Sequence, residues 1–175
     1  MALMAKEVER KFLVANADWR DQVETQISIR QFYLATGPGR SVRIRISNGS
    51  QAMLTLKFSG DGPGRDEFEY PVPLAEAEEM QAFALGRVIE KSRHHVRFGG
   101  YLYEVDVFEG SLAGLVIAEL ETPDFVSTEK LPPWLGVWTG AAINRVGGKK
   151  TPERQQADVD QAISGIFSKF PHRAG

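Results

Sequence analysis

Residues 40–59, RSVRIRISNGSQAMLTLKFS, carry the pattern that decides the fold. Apolar and polar side chains alternate on both sides of Asn48-Gly49 with a period of two, which is typical of β-strands. An Asn-Gly pair between two such runs is a strong signal for the tight turn of a β-hairpin. The stretch therefore predicts two antiparallel strands, at 40–48 and 51–59, each with one apolar and one polar face.

The same alternation continues on both sides of this hairpin. It predicts six further strands, at residues 5–14, 27–35, 65–72, 89–98, 101–109 and 114–122. Turns are predicted at Gly37-Pro38-Gly39 and at Gly99-Gly100. Two stretches read as helices, Pro73 to Gly86, opened by proline and closed by glycine, and 151–170. Many antiparallel strands with few helices favour a mostly β (α+β) fold, a barrel or a sandwich.

Length and composition indicate one globular domain over 1–175. The 175 residues are 42% hydrophobic and 25% charged, with a formal net charge of −2, which is a usual balance for a globular protein. The chain has no cysteine, which excludes disulfides and thiol catalysis and fits a cytoplasmic location. No apolar run approaches the ~20 residues of a membrane span, and no charge excess points to nucleic acid. We therefore expect a small-molecule partner rather than a membrane or a nucleic acid.

Charged residues recur on the polar face of strand after strand. Pairs such as Arg43/Arg45 and Glu119/Glu121 repel each other unless opposite charges lie between them. The set comprises Glu7, Glu9, Lys11, Arg43, Arg45, Lys57, Glu67, Glu69, Lys91, Arg93, Glu104, Asp106, Glu119 and Glu121. These ions cannot form a dry core, because each unpaired buried ion costs several kcal/mol. They form either an ordinary solvated sheet face or, if the sheet closes, the lining of a hydrated tunnel.

The mixture of charges indicates the class of ligand. Arginine and lysine side chains bind phosphate oxygens, and clustered carboxylates without histidine or cysteine bind Mg²⁺ or Mn²⁺ rather than zinc. The six cations and eight carboxylates leave a formal charge of −2, which two divalent ions would bring to about +2. This balance favours a short polyphosphate over a single phosphate. His94 and His95 are adjacent on a strand, so they point to opposite faces and cannot chelate one metal together.

The order of the motifs resembles a known family. Glu7-Val8-Glu9-Arg10-Lys11 is similar to the E-x-E-x-K opening of the CYTH superfamily, also called triphosphate tunnel metalloenzymes. The similarity continues through QFYL at 31–34, VRIR at 42–45, LTLK at 54–57, EFEY at 67–70, EKSR at 90–93, YEVDVFEG at 103–110 and AELE at 118–121. It covers about residues 5–136.

The resemblance implies an eight-stranded antiparallel β-barrel over about 5–122 that forms a tunnel with a few packing helices. Two Mg²⁺ or Mn²⁺ ions would be held by Glu7, Glu9, Glu119 and Glu121. The phosphates would be bound by Lys11, Arg43, Arg45, Lys57, Lys91 and Arg93. The supporting carboxylates would be Glu67, Glu69, Glu104 and Asp106, and the catalytic residues Glu7, Glu9 and Lys11.

The activity that the resemblance implies is metal-dependent hydrolysis of inorganic triphosphate to pyrophosphate and phosphate. One alternative is a hydrolase or cyclase for an organic triphosphate such as thiamine triphosphate or ATP, and another is a non-catalytic polyphosphate-binding module. Two segments depart from the family pattern: Phe32 replaces a usual glycine, and TGAAINR at 139–145 lacks the usual acid and tyrosine. The tail helix at 151–170 would plug the tunnel, pair two chains as a homodimer, or pack outside.

Overall fold

The computed structural model describes residues 8–59, 65–122 and 126–138. One sheet contains nine strands: β1 (Val8–Val14), β2 (Val23–Gly37), β3 (Arg40–Ser47), β4 (Gln51–Ser59), β5 (Arg65–Val72), β6 (Leu85–Phe98), β7 (Tyr101–Phe108), β8 (Val116–Thr122) and β9 (Leu135–Trp138). The helix α1 spans Leu74–Met80, and short 3-10 turns lie at Asp18–Gln22, Gln81–Phe83, Gly110–Leu112 and Thr128–Lys130.

The strand order in the sheet is β5-β4-β3-β2-β6-β7-β8-β1-β9, and every pair is antiparallel. The prediction of a mostly β, antiparallel fold is confirmed. Two details differ from the predicted eight-stranded barrel. A ninth strand, β9, pairs with β1. A barrel also requires its two edge strands to pair, and no ladder among the described residues joins β5 to β9.

The turns explain how the strands meet so closely. Phe98 pairs with Tyr101, so β6 and β7 are joined by Gly99 and Gly100 alone, as predicted. Both glycines have positive φ angles, 59° and 85°, which is the backbone of a tight turn that matches the twist of the two strands. A two-residue connection fixes the register of β6 against β7, and this register places the charged side chains described below.

The first predicted helix is shorter than expected. It begins after Pro73 as predicted, but α1 ends at Met80 and not at Gly86, because β6 already starts at Leu85. The register of β6 against β2 shifts between Leu85 and Ile89, and Gly86 lies inside this shift with a φ of 73°. One 3-10 turn, Gln81–Phe83, follows α1, and from Leu85 onward the backbone pairs with β2 instead. The predicted helix at 151–170 lies outside the described residues.

Most of the hydrophobic core lies on one side of the sheet, which we call the outer face. One cluster there includes Trp19, Tyr103 and Trp134, and a second lies under α1 and includes Phe32 and Ala77. Phe32 is fully buried in the second cluster, so this departure from the family pattern acts on packing and not on the charged side of the sheet. Within the described ranges, no helix is long and apolar enough to cross a membrane.

Candidate functional site

The register of the ladders brings the charged residues to the opposite side of the sheet, which we call the charged face. Lys11 pairs with Glu119, and Glu119 pairs with Glu104. Arg93 pairs with Asp106 on the neighbouring strands. Directly paired residues project their side chains to the same face, and residues two apart on one strand share that face as well. The alternation in the sequence therefore assigned these side chains to their common face correctly.

Six of these side chains form a connected network on β1, β6, β7 and β8. Cluster 1 consists of Lys11, Lys91, Arg93, Glu104, Asp106 and Glu119. Arg93 is its centre, because Nε and Nη2 of Arg93 donate to Oδ1 and Oδ2 of Asp106 at 2.7 and 2.8 Å. Arg93 also donates to Glu104 and, at 3.2 Å, to Oε2 of Glu119. This two-pronged geometry fixes the plane of the guanidinium group.

Asp106 holds a second cation besides Arg93. Nζ of Lys91 lies 2.5 Å from Oδ2 of Asp106, and both side chains are almost completely buried. Burial lowers the pKa of Lys91, although the charge of Asp106 acts in the opposite direction. A buried carboxylate with two cationic partners is costly to disrupt, because loss of one partner leaves an uncompensated buried charge. Asp106 therefore orients Lys91 and Arg93 in the folded protein.

Glu119 links β8 to β1 and β6. Its Oε1 accepts from Nζ of Lys11 at 2.5 Å, while Arg93 donates to Oε2. Burial alone would raise the pKa of Glu119, but the charges of Lys11, Arg93 and Lys91 outweigh it and hold the pKa well below its usual range. Burial likewise acts to lower the pKa of Arg93, and the hydrogen bond and charge of Asp106 outweigh that effect and raise it. Glu119 and Arg93 therefore both stay ionised at neutral pH.

A second group lies on β3, β4 and β5. Cluster 2 consists of Arg43, Arg45, Thr55, Lys57, Glu67 and Glu69. Nη2 of Arg45 lies 3.3 Å from Oε1 of Glu69, and Nζ of Lys57 lies 2.9 Å from Oε2 of Glu67. The hydroxyl of Thr55 is fully buried and donates to Oε1 of Glu69 at 3.1 Å. Cluster 2 thus has three cations and two carboxylates, a formal excess of one positive charge.

Arg43 is the cation of cluster 2 with no carboxylate partner within the ranges that the structure describes. Its side chain makes one long contact, from Nη2 to the hydroxyl of Thr55 at 3.5 Å. Its Nε is buried and has no hydrogen-bond partner. A buried charged donor without a partner is unfavourable on its own. Arg43 therefore has hydrogen-bonding capacity on the charged face that the described residues do not use.

The two histidines lie on opposite faces, as the sequence predicted. Nδ1 of His95 lies 2.6 Å from the hydroxyl of Thr25, and its Nε2 lies 3.4 Å from Oε1 of Glu104, which places His95 on the charged face. His94 is buried on the outer face, where its ring contacts Trp19 edge-on with centroids 5.0 Å apart. No joint metal site of His94 and His95 is therefore possible.

The predicted metal ligands are only partly within the described residues. Glu7 lies outside them, whereas Glu9 is described through its backbone and pairs with Glu121 across β1 and β8. In the part of the chain that the structure describes, no three His, Asp or Glu side chains form a preassembled metal site. Glu9, Glu119 and Glu121 nevertheless lie on one face and offer oxygen ligands alone, the donor set that Mg²⁺ and Mn²⁺ prefer. The residues therefore fit a hard divalent cation.

Two features of the charged face escaped the sequence analysis. Gln31 of β2 is 8% exposed and pairs with Arg45 on one side and Ile89 on the other, so it lies between the two clusters. The end of the face next to Lys91 is apolar, formed by residues such as Phe108 and Ile117. Strand parity alone places these side chains on the charged face. The sequence analysis missed them because it followed charged residues, and these side chains are uncharged.

The sequence model of the CYTH domain matches residues 5–150. The chain belongs to the CYTH family. The inorganic triphosphatase of Acetivibrio thermocellus is 39% identical over 134 residues, 76% of this chain and 85% of that protein. The inorganic triphosphatase of Nitrosomonas europaea is 36% identical over 134 residues, 74% of this chain and 86% of that protein. Triphosphatases of the CYTH family depend in general on a metal ion.

Two solved structures share this fold. A crystal structure of an inorganic triphosphatase is 30% identical, with a TM-score of 0.58, over 79% of this chain and 89% of that chain. A putative adenylyl cyclase from Hippeastrum with dominant triphosphatase activity is 15% identical, with a TM-score of 0.51, over 67% of this chain and 80% of that chain. The second similarity concerns the fold alone.

Proposed function

We propose that this CYTH protein hydrolyses inorganic triphosphate to pyrophosphate and phosphate. The observation that carries the proposal is the charged face itself. It presents six cations from four strands, and the cation Arg43 lacks a carboxylate partner among the described residues. The inorganic triphosphatases at 39% and 36% identity support the choice of substrate. A linear triphosphate supplies the several negative charges that such a face requires.

The cations of both clusters bind the phosphate oxygens, and their carboxylate partners hold them in place. Arg93 is fixed by Asp106 and Glu104, and Arg45 by Glu69. Cations that are already oriented before the substrate arrives stabilise the charge of the transition state without further reorganisation. Phosphoryl transfer needs little covalent chemistry from the protein, so this positioning accounts for the role of the side chains.

The reaction adds one water across a phosphoric anhydride bond. The oxygen of water bonds to a terminal phosphorus, the bridging P–O bond breaks, and the released proton passes to solvent. A divalent ion, when bound, supplies neutralisation of the phosphate charge and activation of water. We assign Glu7, Glu9, Glu119 and Glu121 as the residues that hold it, with Mg²⁺ or Mn²⁺ as the ion and two as the number. We assign Glu7, Glu9 and Lys11 as the catalytic residues, and Lys11 is positioned by Glu119.

A substrate panel tests the proposal. Phosphate release is measured from tripolyphosphate, ATP and thiamine triphosphate, each with Mg²⁺, with Mn²⁺ and with a chelator. We expect metal-dependent release that is fastest from tripolyphosphate. Faster release from an organic triphosphate would favour the organic substrate, and binding without release would favour a non-catalytic module.

The substitution Glu9→Gln tests the assignment of the metal ligands. It removes one negative charge from a strand position that pairs with Glu121, so metal-dependent turnover should fall by at least ~100-fold while folding is retained. Glu24→Gln is the matched control, because Glu24 is exposed and its ion pair with Arg97, at 3.0 Å, belongs to neither cluster. Turnover of Glu9→Gln close to that of wild type would reject the assignment.

Three finer expectations stay predictions. They are a single domain over the whole of 1–175, a cytoplasmic location, and a homodimer, for which pairing through the segment 151–170 is one of the three alternatives given above for that helix. Sedimentation of the intact chain and of a chain that ends at residue 150 would decide the last of these, since only the intact chain should dimerise.

A further inference from the structure

The charged face ends in a packed apolar cluster at the connection between β7 and β8. Phe108 follows Asp106 by two residues on β7, and Ile117 pairs directly with Asp106 from β8, so both side chains lie on the charged face. Phe108 and Ile117 are 8% and 2% exposed. Leu112 lies in the 3-10 turn of the connection and is buried against both. The connection therefore folds over this end of the charged face.

We call this cluster the end wall, and it consists of Ile89, Phe108, Leu112, Leu115 and Ile117. The last cation before it is Lys91, which pairs with Phe108 and has its Nζ 5.5 Å from the centre of the phenyl ring. Beyond Lys91 the wall offers side chains without donors to a phosphate oxygen. A phosphate forced against it would lose its water without compensation, which is unfavourable for a charged group.

We propose that the end wall closes the substrate site at the Lys91 end, so that a substrate must place an unesterified terminal phosphoryl group there. The proposal rests on the proposed function and narrows its substrate class. Linear triphosphates bind with a free end next to Lys91, whether both of their ends are free or one end is esterified. Compounds in which both ends carry an organic group are excluded, whatever their charge.

Competition experiments test whether the site is closed at the Lys91 end. Hydrolysis of tripolyphosphate with Mg²⁺ is measured in the presence of ATP, which has one free end, or of diadenosine tetraphosphate, which has none and carries a comparable charge. We expect the inhibition constant of diadenosine tetraphosphate to be at least tenfold higher than that of ATP. Equal effects of the two compounds, whether both inhibit or neither does, would overturn the proposal. Absence of tripolyphosphate hydrolysis would instead reject the proposed function.

A variant pair connects this selectivity to the end wall. The double substitution Phe108→Ala, Leu112→Ala should reduce the ratio of the two inhibition constants at least threefold, because it removes the phenyl ring and one leucine side chain from the wall. Leu74→Ala is the matched control, since Leu74 packs against the outer-face cluster under α1, and its ratio should stay at the wild-type value. If the double variant does not fold, Leu112→Ala alone is measured. An unchanged ratio in a folded wall variant would contradict the proposal.

Discussion

Arg43 differs from the other cations of the charged face in its surroundings. Its neighbour Arg45 is held by Glu69, whereas the buried Nε of Arg43 has no hydrogen-bond partner. Strand pairing forces it there, because Arg43 lies directly opposite Thr55 and a threonine hydroxyl cannot replace a carboxylate. The protein thus keeps an unfavourable donor on β3, which is expected where a ligand supplies the missing acceptor.

The substitution Arg43→Gln should therefore affect substrate binding more than stability. Hydrogen bonds to charged groups contribute about 1.5–3 kcal/mol, so the KM for tripolyphosphate should rise at least ~10-fold while the free energy of unfolding changes little. Arg30→Gln is the control, because Arg30 lies on the outer face of the adjacent strand and pairs with Glu78 of α1 at 3.3 Å. A KM for Arg43→Gln as low as that of Arg30→Gln would show that Arg43 does not contact the substrate.

The depressed pKa of Glu119 predicts how stability depends on pH. In the unfolded chain this carboxyl group has its ordinary pKa of 4.5, and in the folded protein Lys11, Arg93 and Lys91 lower it in spite of burial. Below 4.5 the unfolded chain binds more protons than the folded one, so the stabilisation present above pH 4.5 is lost as the pH falls toward the folded pKa. Each pKa unit of depression corresponds to about 1.4 kcal/mol.

Urea unfolding between pH 6 and pH 3 in metal-free buffer measures this effect, with the pH range set about the ordinary carboxyl pKa. We expect the free energy of unfolding of the wild type to decrease as the pH falls, and the slope to be shallower in Glu119→Gln. Glu24→Gln, which alters an exposed pair with Arg97, should keep the wild-type slope. Identical slopes in all three proteins would mean that Glu119 titrates normally.

At the level of the strand pair, the β6–β7 turn carries the register of cluster 1. Gly100 has a φ of 85°, a conformation that a residue with a side chain adopts at a cost of about 1–2 kcal/mol. Gly100→Ala should therefore reduce the free energy of unfolding by about that amount. Gly37→Ala is the control, because a Cβ there would meet Arg40 Cγ at an ordinary 3.7 Å. Urea titrations of the two variants compare them directly, and equal stabilities would contradict the turn argument.

The sequence predicted the strands well, because their evidence is local. Eight predicted runs correspond to β1 through β8, and turn residues such as Gly99-Gly100 define their ends. The strand β9 was missed because four residues at 135–138 are too short for a period to show. The end of α1 was wrong because pairing of Leu85 with Tyr33 is a contact between distant segments, which local propensity cannot detect.

The sequence predicted the part of the site that depends on alternation along a strand, namely the face of the sheet on which each charged side chain lies. Alternation assigned Arg93 and Asp106 to one face, and the ladder confirms this placement. Which carboxylate holds which cation was not predictable, because it depends on register: Asp106 binds both Lys91 and Arg93, whereas Arg43 lies opposite Thr55. The roles of these residues in binding the metal and the triphosphate stay predictions.

In the whole molecule, β2 separates the two clusters of the charged face, because it lies between β3 of cluster 2 and β6 of cluster 1. Cluster 1 has equal numbers of cations and carboxylates, and the additional carboxylates Glu9 and Glu121 make its end of the sheet acidic. Cluster 2 has an excess of cations. A metal–triphosphate complex has the complementary arrangement, positive at the metal and negative along the phosphates. One ligand therefore satisfies both clusters only if it contacts both at once.

A double-mutant cycle tests whether a single triphosphate bridges the clusters. Lys11→Ala removes a cation of cluster 1 and Arg43→Ala one of cluster 2. The binding free energy of tripolyphosphate with Mg²⁺ is derived from the rise in Tm that the ligand causes. If both side chains bind the same anion, their effects on this free energy should be coupled by about 0.5–3 kcal/mol, since residues that share a partner are not additive. Without tripolyphosphate the two effects on Tm should add, because Lys11 pairs with Glu119 and Arg43 contacts Thr55 in separate networks. Additive effects in both conditions would mean that the clusters bind separately and that no single substrate contacts both.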